Sequence, residues 1–215
     1  MKLSKRLEKA LEYTAGFQCL RDVGCDHAYF PIEAVSRGYV KKSIASDNKV
    51  SPYESALKNV EEASLTNQIQ VALLNGLDEL TPHQDLVSIL GMGGILISEI
   101  LSGVDLKDVK RLILSPNSDA SVLREFLEKN GWKVISEEFI KDHQKYYQII
   151  VSEKGEMHLS TLEKRFGKIN LQRKNKDFVE YIHKQIEKFE LALSKVSEEK
   201  KSVIEDEIHT LKECL

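Results

Sequence analysis

The chain has 215 residues, with 31 Lys and Arg against 34 Asp and Glu, a formal net charge of −3, and 41% hydrophobic residues. This is an ordinary globular balance; it excludes a disordered chain, a collagen and a strongly basic coat protein, so any hold on nucleic acid must come from a local patch. Cys19, Cys25 and Cys214 are an odd set without CxxC spacing, and no apolar run approaches ~18 residues, so a reduced, soluble, cytoplasmic protein without a membrane span is expected.

In chain order, Phe17 to Val23, Ser43 to Ser46, Ile69 to Leu74, Leu86 to Leu90 and Leu112 to Leu114 read as buried strands. Pro31 to Ser36, Pro52 to Ser64, Ile95 to Leu101 and Ser121 to Lys129 read as the helices between them, with Ser51 capping the second and Gly131 stopping the fourth. Lys133 to Ile140 and Tyr146 to Val151 follow as an antiparallel hairpin around the polar segment Lys141 to Lys145. Alternating units of this kind predict a doubly wound, mostly parallel α/β sheet with an antiparallel edge.

Near residue 154 the composition changes. Residues 1–153 carry 18 basic and 22 acidic residues and all four prolines, whereas 154–215 carry 13 and 12 and no proline. Leu159 to Ile169 reads as a short helix. Phe178, Ile182, Ile186, Phe189, Leu193 and Val196, then Val203/Ile204, Ile208 and Leu211, recur at helical spacing and predict two helices joined by a turn at Ser197 to Lys200, an antiparallel hairpin of coiled-coil type. Two domains are expected, 1–153 and 154–215, the second being either a solubilising appendage or a grip on a substrate.

In a doubly wound sheet ligands bind beyond the C-terminal strand ends. The turn Asp22-Val23-Gly24-Cys25-Asp26-His27-Ala28 lacks the second glycine of GxG, and its acidic Asp26 suits a cationic or zwitterionic ligand better than a pyrophosphate. Asp47 stands where nucleotide-binding folds place a carboxylate for ribose hydroxyls, and Asn75-Gly76-Leu77 offers an amide and an apolar face to a purine. Gly91-Met92-Gly93-Gly94 puts three glycines at a strand-to-helix junction, which suits close approach by a ligand or tight packing. Ser115-Pro116-Asn117 gives a rigid turn with an amide beside the same cleft.

Together with Leu3 to Leu7 and Ser51 to Val60, the ordered combination of Asp26-His27-Ala28-Tyr29 with Gly91 to Gly94 and Pro116-Asn117 resembles the bacterial tRNA methyltransferases that use S-adenosylmethionine to methylate N1 of adenine 22. The resemblance implies a Rossmann-like methyltransferase domain with a C-terminal coiled coil, acting as a monomer. It places the methionine part of the cofactor at Asp22, Gly24, Cys25, Asp26, His27 and the Gly91-Met92-Gly93 loop, the ribose at Asp47 and Asn48, and the adenine at Asn75, Gly76 and Leu77. The target base is expected at Gly93, Gly94, Pro116 and Asn117, with Asp26 as the catalytic carboxylate and His27 and Tyr29 orienting it or stacking on the base. The family usually has acidic residues at positions 75 and 47 (glutamate at the latter), serine at 25 and glutamine at 115.

Phosphate contacts are expected from Lys164, Arg165, Lys168, Arg173, Lys174 and Lys176, with no acid between them, and from Lys2, Lys5, Arg6 and Lys9, the two clusters forming one electropositive face. The six histidines are scattered without ligand spacing, so no metal is expected. A methyltransferase acting on another RNA, a protein or a small molecule, and a non-catalytic nucleic-acid-binding or interaction module, stay open as alternatives; an NAD-linked oxidoreductase is disfavoured by the missing GxGxxG.

Overall fold

A computed structural model of the chain describes residues 3–77, 84–193 and 195–215, with 198–200 described by their backbone alone. Lys2 and Pro82 therefore lie outside the described residues. The elements are α1 (Lys5–Leu11), β1 (Phe17–Val23), α2 (Tyr29–Ser36), β2 (Val40–Asp47), α3 (Val50–Glu62), β3 (Ile69–Leu73), β4 (Leu86–Leu90), α4 (Gly94–Ser102), β5 (Arg111–Ser115), α5 (Ala120–Lys129), β6 (Trp132–Asp142), β7 (Lys145–Lys154), α6 (Thr161–Phe166), α7 (Lys168–Arg173), α8 (Lys176–Leu193) and α9 (Glu198–Lys212).

The strands form one sheet in the order β3, β2, β1, β4, β5, β7, β6. The first five are parallel, and β7 runs antiparallel to both β5 and β6. This is a Rossmann-like sheet whose order reverses between β1 and β4, the crevice where such sheets bind ligands. Central strands are apolar on both faces because helices cover both: α1, α2 and α3 pack with Leu20, Ala45, Leu86 and Ile113 on one, α4 and α5 with Val87, Ile89, Leu112 and Trp132 on the other.

Four local expectations are corrected. The turn expected at Ser197 to Lys200 is instead the N-cap and first turn of α9, which starts at Glu198. Helix α3 starts at Val50 with Lys49 as N-cap residue, so Ser51 lies inside it, its carbonyl accepting from Ser55 Oγ at 2.9 Å. The hairpin turn is shorter than Lys141 to Lys145: only His143 and Gln144 separate β6 from β7, with His143 at φ +54°. The helix expected over Leu159 to Ile169 is two, α6 opened by a capping box between Ser160 and Glu163, and α7 separated from it by Gly167 at φ +90°.

Helices α8 and α9 form a hairpin around Phe178, Ile182, Ile186, Ile208 and Leu211, with Val203 off the seam and 68% exposed. The pair is seated on the sheet, because Phe139 of β6 packs edge-on against Phe178 at 5.4 Å and against Tyr181 at 5.1 Å. The outer edge of β6 is met by side chains from the segment entering α8. Arg173 donates to the carbonyl of Glu137 (3.4 Å), Asn175 to that of Phe139 (3.0 Å), and Asp177 accepts from the N–H of Lys141 (2.8 Å).

Beneath this segment Arg124 and Glu137 form an ion pair at 2.7 Å, each side chain 1% exposed. Arg124 also donates to the carbonyls of Lys164 and Arg165 and to Gln148, and Glu137 accepts from the N–H of Ile169. A Cβ at Gly167 would collide with the Glu137 carboxylate, so the glycine that breaks the helix also admits the charge.

Candidate active site

A cleft of about 1170 Å³ opens along the C-terminal ends of the strands. One wall comes from Gly24 and Asp26 after β1, Asp47 to Lys49 at the end of β2, and Leu74 to Leu77 after β3. The other comes from Leu90 to Met92 at the end of β4, Asn117 after β5, Lys145 to Tyr147 at the start of β7, Arg6 of α1 and Tyr181 of α8, while Leu96, Glu99 and Ile100 of α4 also face the space.

The turn after β1 concentrates strain. Gly24 (φ +70°), Asp26 (+51°) and Ala28 (+58°) alternate in the left-handed region, two of them without glycine's freedom. The N–H groups of Gly24 and Cys25 both donate to Ser46 O at 2.8 and 2.9 Å, that of Asp26 donates to the Asp47 carboxylate at 3.3 Å, and Asn59 of α3 donates to His27 O at 2.9 Å. Asp26 lines the cleft beside Asp47, its exposed carboxylate 3.6 Å from His27 Nε2. His27 and Tyr29 stack on each other at 5.3 Å and are not part of the lining.

Asp22 and Cys25 lie under the turn rather than along the cleft. Cys25 is buried, which pushes its thiol up and leaves it a poor nucleophile. Asp22 accepts from Ser88 Oγ at 2.5 Å, yet burial raises its carboxyl to about 7, with Ser88 and Arg21 opposing. Since its folded value exceeds the unfolded one, its contribution to stability is fully present below pH ~4, falls as pH rises to ~7 and then levels off, a span of order 4 kcal/mol. Asp22→Asn keeps the Ser88 bond and removes the titration. Urea unfolding of both proteins across this range should show the wild type's advantage over the variant shrinking with pH, whereas a constant difference would mean that Asp22 does not titrate there.

The two loops beyond are joined, Asn48 donating to Asn75 Oδ1 at 3.3 Å, so the oxygen expected to face a purine already accepts one bond. Gly76 (φ +74°) and Leu77 complete that wall.

The glycine loop after β4 divides by function. Gly91 and Met92 line the cleft, and a Cβ at Gly24 would strike Met92 Cε. Gly93 and Gly94 turn away: Gly94 N donates to Ser118 O at 2.9 Å, and a Cβ there would collide with the Asp119 carbonyl. These two glycines, read as a base pocket, let α4 start against the β5–α5 loop. Pro116 is not in the lining, but Asn117 is, held by its side-chain amide on Gly91 O and its N–H on Met92 O (2.8 Å).

Tyr146, Tyr147 and Tyr181 form an aromatic wall that sequence reasoning did not single out. Arg6 lies 4.8 Å over the Tyr147 ring, and Glu180 ties the rim together by accepting from Lys141, from Lys184 (3.1 Å) and from Tyr146 (3.0 Å), which holds its carboxyl down to about 2. Among the described basic residues, Lys9 and Arg173 converge on Glu138, at 3.7 and 3.4 Å, so the two clusters do meet. They meet on a carboxylate, however. Lys164 pairs with Glu128 (2.7 Å), Arg165 with Glu207 and Lys168 with Glu163 (3.7 Å), while Lys174 donates to Leu215 O; Lys5 is exposed and donates its backbone N–H to Asp142. Lys176 starts α8 at the exposed surface.

The model of the tRNA (adenine(22)-N(1))-methyltransferase family, TrmK, matches residues 20–213. A Bacillus subtilis protein of that description is 38% identical over 159 residues, covering 73% of this chain and 67% of its own length. A Streptococcus pneumoniae structure in complex with S-adenosyl-L-methionine superposes with a TM-score of 0.91 at 40% identity over 100% of both chains, and M. capricolum TrmK in complex with S-adenosyl-homocysteine with 0.88 at 30% identity over 99% of this chain and 97% of that one. With the match extending through the sheet, the cleft and the C-terminal helices, this chain belongs to the tRNA (adenine(22)-N(1))-methyltransferase family.

Proposed function

We infer that this chain transfers a methyl group from S-adenosylmethionine to N1 of adenine 22 of tRNA. The observation that carries the reading is the single cleft that joins two acidic turns, at Asp26 and Asp47, to an aromatic wall across the switch point of the sheet. The first wall fits the cofactor: Gly24 keeps the β1 turn open against Met92, Asp47 offers a carboxylate to ribose hydroxyls, and Asn75 to Leu77 offer polar and apolar contacts to adenine.

S-adenosylmethionine, when bound, supplies an electrophilic methyl carbon on a sulfonium. The protein's task is then alignment and charge. Asp47 and the Gly24 turn orient the donor, and the tyrosine wall gives a face for a base that has left its helix, since N1 lies on the Watson–Crick edge. Asp26 accepts from the exocyclic amino group of the adenine and stabilises the positive charge that methylation at N1 puts on the ring.

Residues 1–153 act as the methyltransferase domain and 154–215 as a coiled-coil domain, a division supported by the change in composition, with the third apolar cluster joining the two through Phe139 and Tyr146. The helical domain reaches the reaction through Tyr181. We propose that the chain works on tRNA as a monomer in the cytoplasm.

The test is methyl transfer to two tRNA transcripts that differ only in carrying adenine or guanine at position 22, followed by nucleoside analysis. We expect 1-methyladenosine from the adenine transcript alone; label in neither, with the cofactor bound, would favour a small-molecule acceptor.

A further inference from the structure

The run of six cations at 164–176 is largely consumed within the fold. Lys164, Arg165, Lys168 and Arg173 each hold a carboxylate. A phosphate approaching such a cation has to displace that carboxylate, and a charge already neutralised by its own chain adds little to the release of counterions that drives tRNA binding.

The aromatic side of the cleft differs. Arg6 is half-buried, its guanidinium over Tyr147, its Nη1 3.5 Å from Ser115 Oγ at the end of β5, and its tip so close to Gly91 that a Cβ there would stand 3.3 Å from it. It is thus held rigidly where β4, β5 and β7 end. Lys145 lies on the same wall, at the exposed start of β7. Neither forms an ion pair with a carboxylate among the described residues. Asp142 acts on Arg6 only from beyond ion-pair distance, so the desolvated guanidinium lacks a close counter-ion, a state that an approaching anion relieves, and planar guanidinium groups match phosphate geometry.

We propose that Arg6 and Lys145 hold the phosphates flanking the target nucleotide, fixing the strand at the mouth of the cleft, and that the 164–176 run does not carry the phosphate contacts. The proposal rests on the tRNA reading above. It is tested by tRNA affinity of the full chain across a salt series. Arg6→Gln and Lys145→Gln are each expected to lower the slope of log Kd against log salt by about one, the double variant Lys168→Gln/Arg173→Gln to leave it unchanged, and Lys145→Arg to restore it. Thermal unfolding of Arg6→Gln is followed in parallel because its packing on Tyr147 changes; the exposed Lys145 decides the matter if that variant does not fold. An unmoved slope for Lys145→Gln, or a fall for the double variant, overturns the proposal while leaving the function intact. A wild-type chain that binds no tRNA at all overturns both.

Discussion

Asp26→Asn should lower the turnover of tRNA methylation by roughly 10²- to 10⁴-fold, the range associated with a positioned acid–base group, with a much smaller change in S-adenosylmethionine affinity. The substitution separates chemistry from folding unusually well. Asp26 sits at φ +51°, a region that asparagine tolerates as readily as aspartate, and its bond to the Asp47 carboxylate is made by its own backbone N–H, which the substitution keeps. What disappears is the carboxylate at the edge of the cleft. Single-turnover transfer at saturating cofactor and tRNA, beside cofactor affinity by calorimetry, checks both halves. Turnover equal to wild type would remove Asp26 from the reaction and leave the aromatic wall to bring about methylation by orientation alone.

Glu137→Gln is expected to cost about 3–5 kcal/mol, because it leaves the Arg124 guanidinium buried without its counter-charge. For a chain of this length that corresponds to a fall of about 10 °C in Tm. The damage is directed: Arg124 holds the carbonyls of Lys164 and Arg165, and Glu137 holds the N–H of Ile169, so the pair joins α5 and β6 to the entry of the helical region. Combining Arg124→Met with Glu137→Leu should recover part of the loss, since two apolar side chains do not strand a charge. Thermal scans of the single and double variants read this directly, and a Glu137→Gln protein that melts with the wild type would show that the pair contributes nothing to stability.

Much of the fold was legible because its signals are local. β1 and β4 have the bounds read from the sequence, as each is a short apolar run ended by glycine. Asp26, Asp47 and Asn75 reach one cleft because the topology of parallel strands brings successive strand ends together. What stayed hidden depended on distant partners. Gly93 and Gly94 look the same in sequence whether a ligand or the Asp119 backbone approaches them. The run 164–176 has no acid within it, but Glu163 at its edge and Glu128, Glu138 and Glu207 from other elements neutralise it. Tyr146 and Tyr147 read as strand and Tyr181 as helix, and only the meeting of β7 with α8 turns them into a wall.

Arg173, Asn175 and Asp177 meet β6 at every second residue, where its outward-facing carbonyls and N–H would otherwise be bare. They do by side chain what an eighth strand would do by backbone, but without offering a new edge of their own. An open edge is a template for pairing with another molecule; here the ladder ends on groups that cannot propagate it. The tail thereby closes the β6 edge, leaving β3 as the other edge of the sheet, and ties the protection of β6 against pairing to the presence of the helices.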